Sequence, residues 1–303
     1  MQLQRSLLEI SILALLWGPS FLFIKIAVQE IAPLTLVAVR ISLAVGLLYS
    51  VLKLKAIRLP SDRRLWMHCF MIGIFANGLP FICFNYALMH IPTSLSALIN
   101  GMTPVLTVLL ANLFLVDERL TKERIVGVVL GVAGFIVLFL PALLGQAEQF
   151  DLKGVALSGI GASCYAVSIV YARKYVNKTP ALVAPMLQLL SSLTYLIPLA
   201  FIFENPLPLL HSASVTAWSA VLGLTVLGTL LAYIMYYRIL QEYGATSLSM
   251  VTYLLPIIGT LLGVIFLKEV LTLSFMIAAS LILGGVLVVT GHALPAKQVS
   301  PKF

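Results

Sequence analysis

Arg40 stands about six residues into an apolar run that begins near residue 34. If the run is helical, the guanidinium enters roughly 9 Å from the nearest end. An arginine at membrane depth costs about 2.5–3.5 kcal/mol on insertion scales unless something answers its charge. Two answers are open. It caps helix carbonyls or snorkels to water, or it meets an anionic group on a bound solute. Asn77, Asn85 and Asn100 also fall inside apolar runs. Asn77 and Asn85 are eight residues apart, hence on one face of a helix, with Pro80 between them. Such amides act either as interhelical glue or as solute contacts. Trp17, Tyr165, Tyr233 and Tyr253 add aromatic rings with one polar atom each, which must find a partner when buried. Ser20 adds a small hydroxyl. This is recognition chemistry. No apolar run carries a central Asp or Glu of the kind used as a proton relay, and no GxxxxGK[ST] loop occurs. No metal set or cofactor is predicted, and enzymatic acid–base chemistry has no cluster of acids or histidines to use.

The elements that must carry these groups are set by composition. The chain has 303 residues, 61% apolar and 10% charged, with a mean hydropathy of +1.07. Soluble domains carry roughly 25% charged residues, so lipid is the expected solvent. A spanning helix needs about 20 apolar residues. Ten such runs are predicted, near 8–28, 34–52, 66–89, 94–116, 125–141, 154–173, 182–203, 215–237, 246–267 and 273–291. Their connections are too short to hold a soluble domain. Cys69, Cys83 and Cys164 all lie in apolar runs, so no disulfide framework is expected.

The net charge of +8 would fit a nucleic-acid binder, but its placement says otherwise. Threading ten spans from Arg5 puts the Lys53–Arg64 loop, Arg119–Arg124, Arg173–Lys178, Arg238 and the tail lysines on one side. That side holds 15 of the 19 basic residues. Cytoplasmic loops are enriched in Lys and Arg, so both termini are predicted to be cytoplasmic and nucleic acid is not expected as a partner. The sequon Asn177-Lys178-Thr179 falls on the same side and should go unused.

A phrase recurs. Thr93-Ser-Leu-Ser96 reappears as Thr246-Ser-Leu-Ser249, each run closing on a proline, Pro104 and Pro256. Glu118 and Glu269 follow at matching turns, and Gly134 matches Gly285. Upstream, Trp17, Ser20 and Lys25 align with Tyr165, Ser168 and Arg173. Two repeats of five spans are predicted, 1–145 and 150–295, followed by a cytoplasmic tail at 296–303. An odd number of spans inverts the second repeat relative to the first. Inverted repeats build alternating-access carriers with a site at mid-membrane. Pro104 and Pro256 are predicted hinges, because proline loosens a helix where a cavity can satisfy the freed carbonyl.

The chain resembles EamA-type members of the drug/metabolite transporter superfamily. The motifs are "LLWGPSFLFIK", "PLTLVAVRISLA" and the paired Thr-Ser-Leu-Ser…Pro…Glu blocks. The resemblance implies an all-α integral membrane protein of ten helices in two inverted repeats. It implies secondary transport, with export of amino acids or related small metabolites across a bacterial inner membrane. Multidrug or nucleotide-sugar carriage is the alternative, although a nucleotide sugar should meet several cations and the spans offer Arg40 alone. A membrane enzyme or a non-transporting scaffold is a remote reading. The expected partners are a small-molecule substrate and membrane lipid, with a homodimer left open.

Overall fold

The computed structural model describes residues 2–115, 121–143, 151–176, 179–249 and 251–291, and no strand occurs among them. Seven helices are long and apolar enough to cross a membrane, and three more are apolar but shorter. In chain order they are α1 (Leu8–Ala27), α2 (Pro33–Leu54), α3 (Arg63–His90), α4 (Thr93–Phe114), α5 (Arg124–Leu138), α6 (Leu152–Tyr175), α7 (Val183–Phe203), α8 (Val215–Ile239), α9 (Leu254–Leu267) and α10 (Leu273–Gly285). The shorter ones are α5, α9 and α10. Side chains such as Leu113, Ile202, Phe203 and Phe266 stand well exposed on the outside. In water a belt of this kind would aggregate; in lipid it is the solvated surface.

Helix starts follow local chemistry. The Asp62 and Asp151 carboxylates accept the Arg64 and Lys153 N–H groups at 2.9 Å, and Ser214 Oγ accepts the Ala217 N–H at 3.2 Å. Pro33 opens α2 after an extended Ala32, where its missing N–H costs nothing.

Among the described residues, four interruptions mark the interior. Helix α1 breaks at Gly18–Pro19 and α4 at Gly101–Met102, just before Pro104. Helices α3 and α8 instead each hold one π-helical turn, Gly73–Gly78 and Val226–Leu231. These turns lie 153 residues apart, the same offset as Thr93 to Thr246. A π turn pushes carbonyls out of the regular ladder and often sits at a functional site.

Packing follows a pattern of exchange. Helix α2 packs on α7, α4 on α9, α5 on α10, α1 on α8 and α3 on α6. Replacing each helix of the first five by its counterpart in the second five leaves that set unchanged. The tightest seam is α5 on α10, and its matched glycines are the reason. A Cβ at Gly285 would lie 2.5 Å from the Gly127 carbonyl oxygen, and one at Gly134 would lie 2.8 Å from Ile282. Gly101, at the break in α4, meets the Pro256 ring, which a Cβ would approach to 2.8 Å. Among the described residues, helix continues through Pro256 itself.

Candidate functional site

A cavity of ≈ 200 Å³ lies where the interrupted helices converge. It starts beside Arg40 and Asn100, then follows α4 past Thr107 to Leu115 and α6 past Ser168 to Arg173. Its far end is therefore the end of the bundle that carries Arg124 and Arg173.

Arg40 is 4% exposed. Its Nε–H donates to Thr229 Oγ1 at 2.7 Å and an Nη2–H to the Gly228 carbonyl at 3.2 Å. The guanidinium lies 4.0 Å from the centroid of the Phe81 ring. Trp17 Nε1–H donates to the same Gly228 carbonyl at 3.1 Å. The π turn of α8 thus supplies the acceptors that hold both residues.

The π turn of α3 is held from the opposite half. Tyr233 Oη donates to Asn77 Oδ1 at 2.8 Å and to the Ala76 carbonyl at 3.3 Å. Gln188 Nε2 donates to Asn77 Oδ1 at 3.4 Å, and Tyr237 Oη donates to Gln188 Oε1 at 2.7 Å. Tyr195 Oη reaches the Gly73 carbonyl at 2.9 Å. Gln188 was not singled out from sequence, yet a signal existed. It follows Arg40 by 148 residues, the spacing that separates Trp17 from Tyr165 and Ser20 from Ser168. Arg40 grips the π turn of α8, and Gln188 reaches that of α3.

Seven of the residues selected from sequence line the cavity: Trp17, Ser20, Arg40, Asn100, Pro104, Tyr165 and Tyr233. Two do not. Asn77 is fully buried behind Tyr233, and Asn85 donates to the Pro33 carbonyl at 3.1 Å, tying α3 to α2. Both are interhelical ties. Pro256 abuts Gly101 at the α4–α9 contact. The Tyr253 side chain lies outside the described residues, as do Glu118, Asn177 and Lys178 of the sequon, and the tail at 296–303.

The other end of the bundle is tied shut by carboxylates that cap helices of the opposite half. Glu204, after α7, accepts the Leu34 and Thr35 N–H groups at 3.0 and 2.7 Å and the Tyr86 hydroxyl at 2.9 Å. Glu269, after α9, accepts the Thr93 and Ser94 N–H groups at 2.6 and 2.9 Å. Glu30, after α1, accepts the Ser214 N–H and Oγ–H, both at 2.6 Å. Each carboxylate meets orphan donors and the positive end of a helix dipole. Two of them adjoin left-handed residues, Asn205 (φ 44°) and Lys268 (φ 54°), which aim the side chains. A Cβ at Gly263 would fall 2.5 Å from Glu269 Oε2, so that glycine makes room for the cap. His90 Nδ1 lies 2.6 Å from Asp151 Oδ2, joining α3 to the start of α6.

The Ser214 side-chain and backbone hydrogen bonds hold the Glu30 carboxyl below its ordinary pKa. A depressed carboxylate pKa contributes stability above the unfolded value and loses it as pH falls through the folded one. The stability gap between the native chain and Glu30→Gln should therefore be constant near neutral pH. It should shrink as pH drops below the usual carboxylate range of about 4. Thermal melts of both forms across acidic pH check this.

The profile of the EamA-like transporter family matches residues 5–140 and again residues 152–291. The uncharacterized inner membrane transporter YedA of Escherichia coli strain K12 is 26% identical, over 95% of this chain and 92% of its own. The uncharacterized transporter YvbV of Bacillus subtilis is 26% identical over 98% of this chain and 95% of its own. Protein PecM of Dickeya dadantii is 24% identical over 80% of each. A solved crystal structure with 23% identity superposes with a TM-score of 0.68, covering 96% of this chain and 98% of that one, so the fold is shared.

Proposed function

Since the chain belongs to the EamA-like transporter family, we propose that it is an alternating-access exporter of small metabolites, amino acids or their derivatives, across a bacterial inner membrane. The proposed topology is ten spans with both termini cytoplasmic, as repeats 1–145 and 150–295 in opposite orientation. Three observations support it: the exchange-symmetric helix pairing, the π turns 153 residues apart and the two stretches matched by the family profile. On this topology the Arg124–Arg173 end faces the cytoplasm, and the Glu30, Glu204 and Glu269 end faces out.

One observation carries the reading. The cavity is built jointly by both halves, with Trp17 and Arg40 from one facing Tyr165, Gln188 and Tyr233 from the other. A solute held there is released by rocking one half against the other, breaking the outer caps while the inner end closes. Pro104, beside the break in α4, and Pro256, against Gly101, are the proposed flexing points.

Purified protein in vesicles loaded with labelled amino acids and their N-acyl derivatives tests this. Label should leave faster than from protein-free vesicles. Equal rates across the whole panel would contradict the reading.

A further inference from the structure

We propose that the cavity selects solutes of net negative charge: a carboxylate on a small molecule without a free ammonium group, such as an N-acyl or oxo acid. This rests on the transporter reading and narrows its substrate class.

The donors converge. A guanidinium has five N–H groups, and the hydrogen bonds of Arg40 to Thr229 and Gly228 use two of them. Three are left on a side chain 4% exposed beside the cavity. Ser20 Oγ is buried, lines the same cavity and has no hydrogen-bond partner. Ser20 Oγ and Arg40 Nη2 pack against the same point of the π turn: a Cβ at Gly228 would lie 2.7 Å from the first and 3.3 Å from the second. Glycine at 228 lets both polar atoms approach that close. The Tyr165 ring completes the wall, stacked on Phe84 at 5.7 Å with its hydroxyl available as a third donor. Guanidinium and hydroxyl donors on one stretch of the cavity wall match the acceptor-only surface of a carboxylate.

Nothing similar awaits an ammonium group. Among the described residues, no Asp or Glu lines the cavity. The Phe81 face is taken by Arg40. The Trp17, Tyr233 and Tyr236 rings pack against one another with centroids 5.9–6.4 Å apart. A zwitterion would set its cation near Arg40 with no counter-charge, which disfavours binding.

The charge has a consequence for driving force. Each cycle that carries a monoanion outward moves one negative charge, and an interior-negative membrane potential favours that movement. Export then needs no proton relay, in keeping with spans that contain no central carboxylate.

Three probes with one skeleton test the proposal in vesicles: N-acetylleucine (anion), leucine (zwitterion) and N-acetylleucinamide (neutral). Vesicles carry valinomycin and an outward potassium gradient. N-acetylleucine should leave at least about tenfold faster than leucine. At a tenfold potassium gradient it should settle near a tenfold excess outside, while leucine ignores the potential. Ser20→Ala should raise the KM for N-acetylleucine several-fold, and Arg40→Gln should erase the preference for the anion. Leucine flux equal to that of N-acetylleucine, with no response to potential, overturns the charge proposal and leaves the transporter reading standing. If none of the three moves but other amino-acid derivatives do, the charge proposal fails alone. If nothing in the wider panel moves either, both fail.

Discussion

Glu269→Ala should speed hydrogen exchange at the Thr93 and Ser94 amides by roughly 30- to 100-fold. Those amides are the first donors of α4, and among the described residues they bond only to the Glu269 carboxylate, at 2.6 and 2.9 Å. Hydrogen bonds to a charged acceptor contribute about 1.5–3 kcal/mol each. Glu269 is partly buried, so screening reduces the pair to roughly 2–2.7 kcal/mol, which corresponds to that rate range. The amides of Leu34 and Thr35 are capped separately by Glu204 and should stay protected. Exchange on peptides covering both segments checks the contrast. Unchanged exchange at Thr93 would mean that this carboxylate does not hold the end shut.

Asn77→Leu should destabilise the protein by about 2–4 kcal/mol, the cost of leaving buried donors unpaired. Tyr233 would keep only its 3.3 Å bond to the Ala76 carbonyl, and the Gln188 amide would lose its acceptor. At about 2–4 °C per kcal/mol for a chain of this size, the melting temperature in detergent should fall by roughly 5–15 °C. Transport should fall with it, because Tyr233 and Gln188 line the cavity. A melting temperature within about 1 °C of native would contradict the network's role.

The spans were legible because hydropathy is a local property. Arg40, Trp17, Tyr165, Tyr233 and Asn100 were legible as cavity residues because polar groups at membrane depth are too costly to lack a role. The rest depended on long-range contact. Gln188 looks unremarkable in its own helix, and only its offset from Arg40 connects the two. The π turns have no composition of their own; Gly73–Gly78 and Val226–Leu231, aligned position by position, share no residue. The repeat places Glu269 at a turn, but the helix it caps begins 176 positions earlier. Asn77 and Asn85 illustrate the opposite limit. Eight-residue spacing placed them on one face, yet that face meets neighbouring helices and not the cavity. Small residues are equally ambiguous: Thr107 and Ala111, four apart on α4, line the cavity, whereas Gly259 on α9 packs closely against Ala97.

If solute crosses between the two halves, the Glu30–Ser214 end must part to release it. The three native cysteines are buried and unpaired, so they can be replaced to give a clean background. In that background Glu30→Cys and Ser214→Cys are bridged by a short cleavable thiol cross-linker, and flux is measured before and after cleavage. Flux should stop in the bridged protein and return when the bridge is cut. Undiminished flux through the bridged protein would contradict the account.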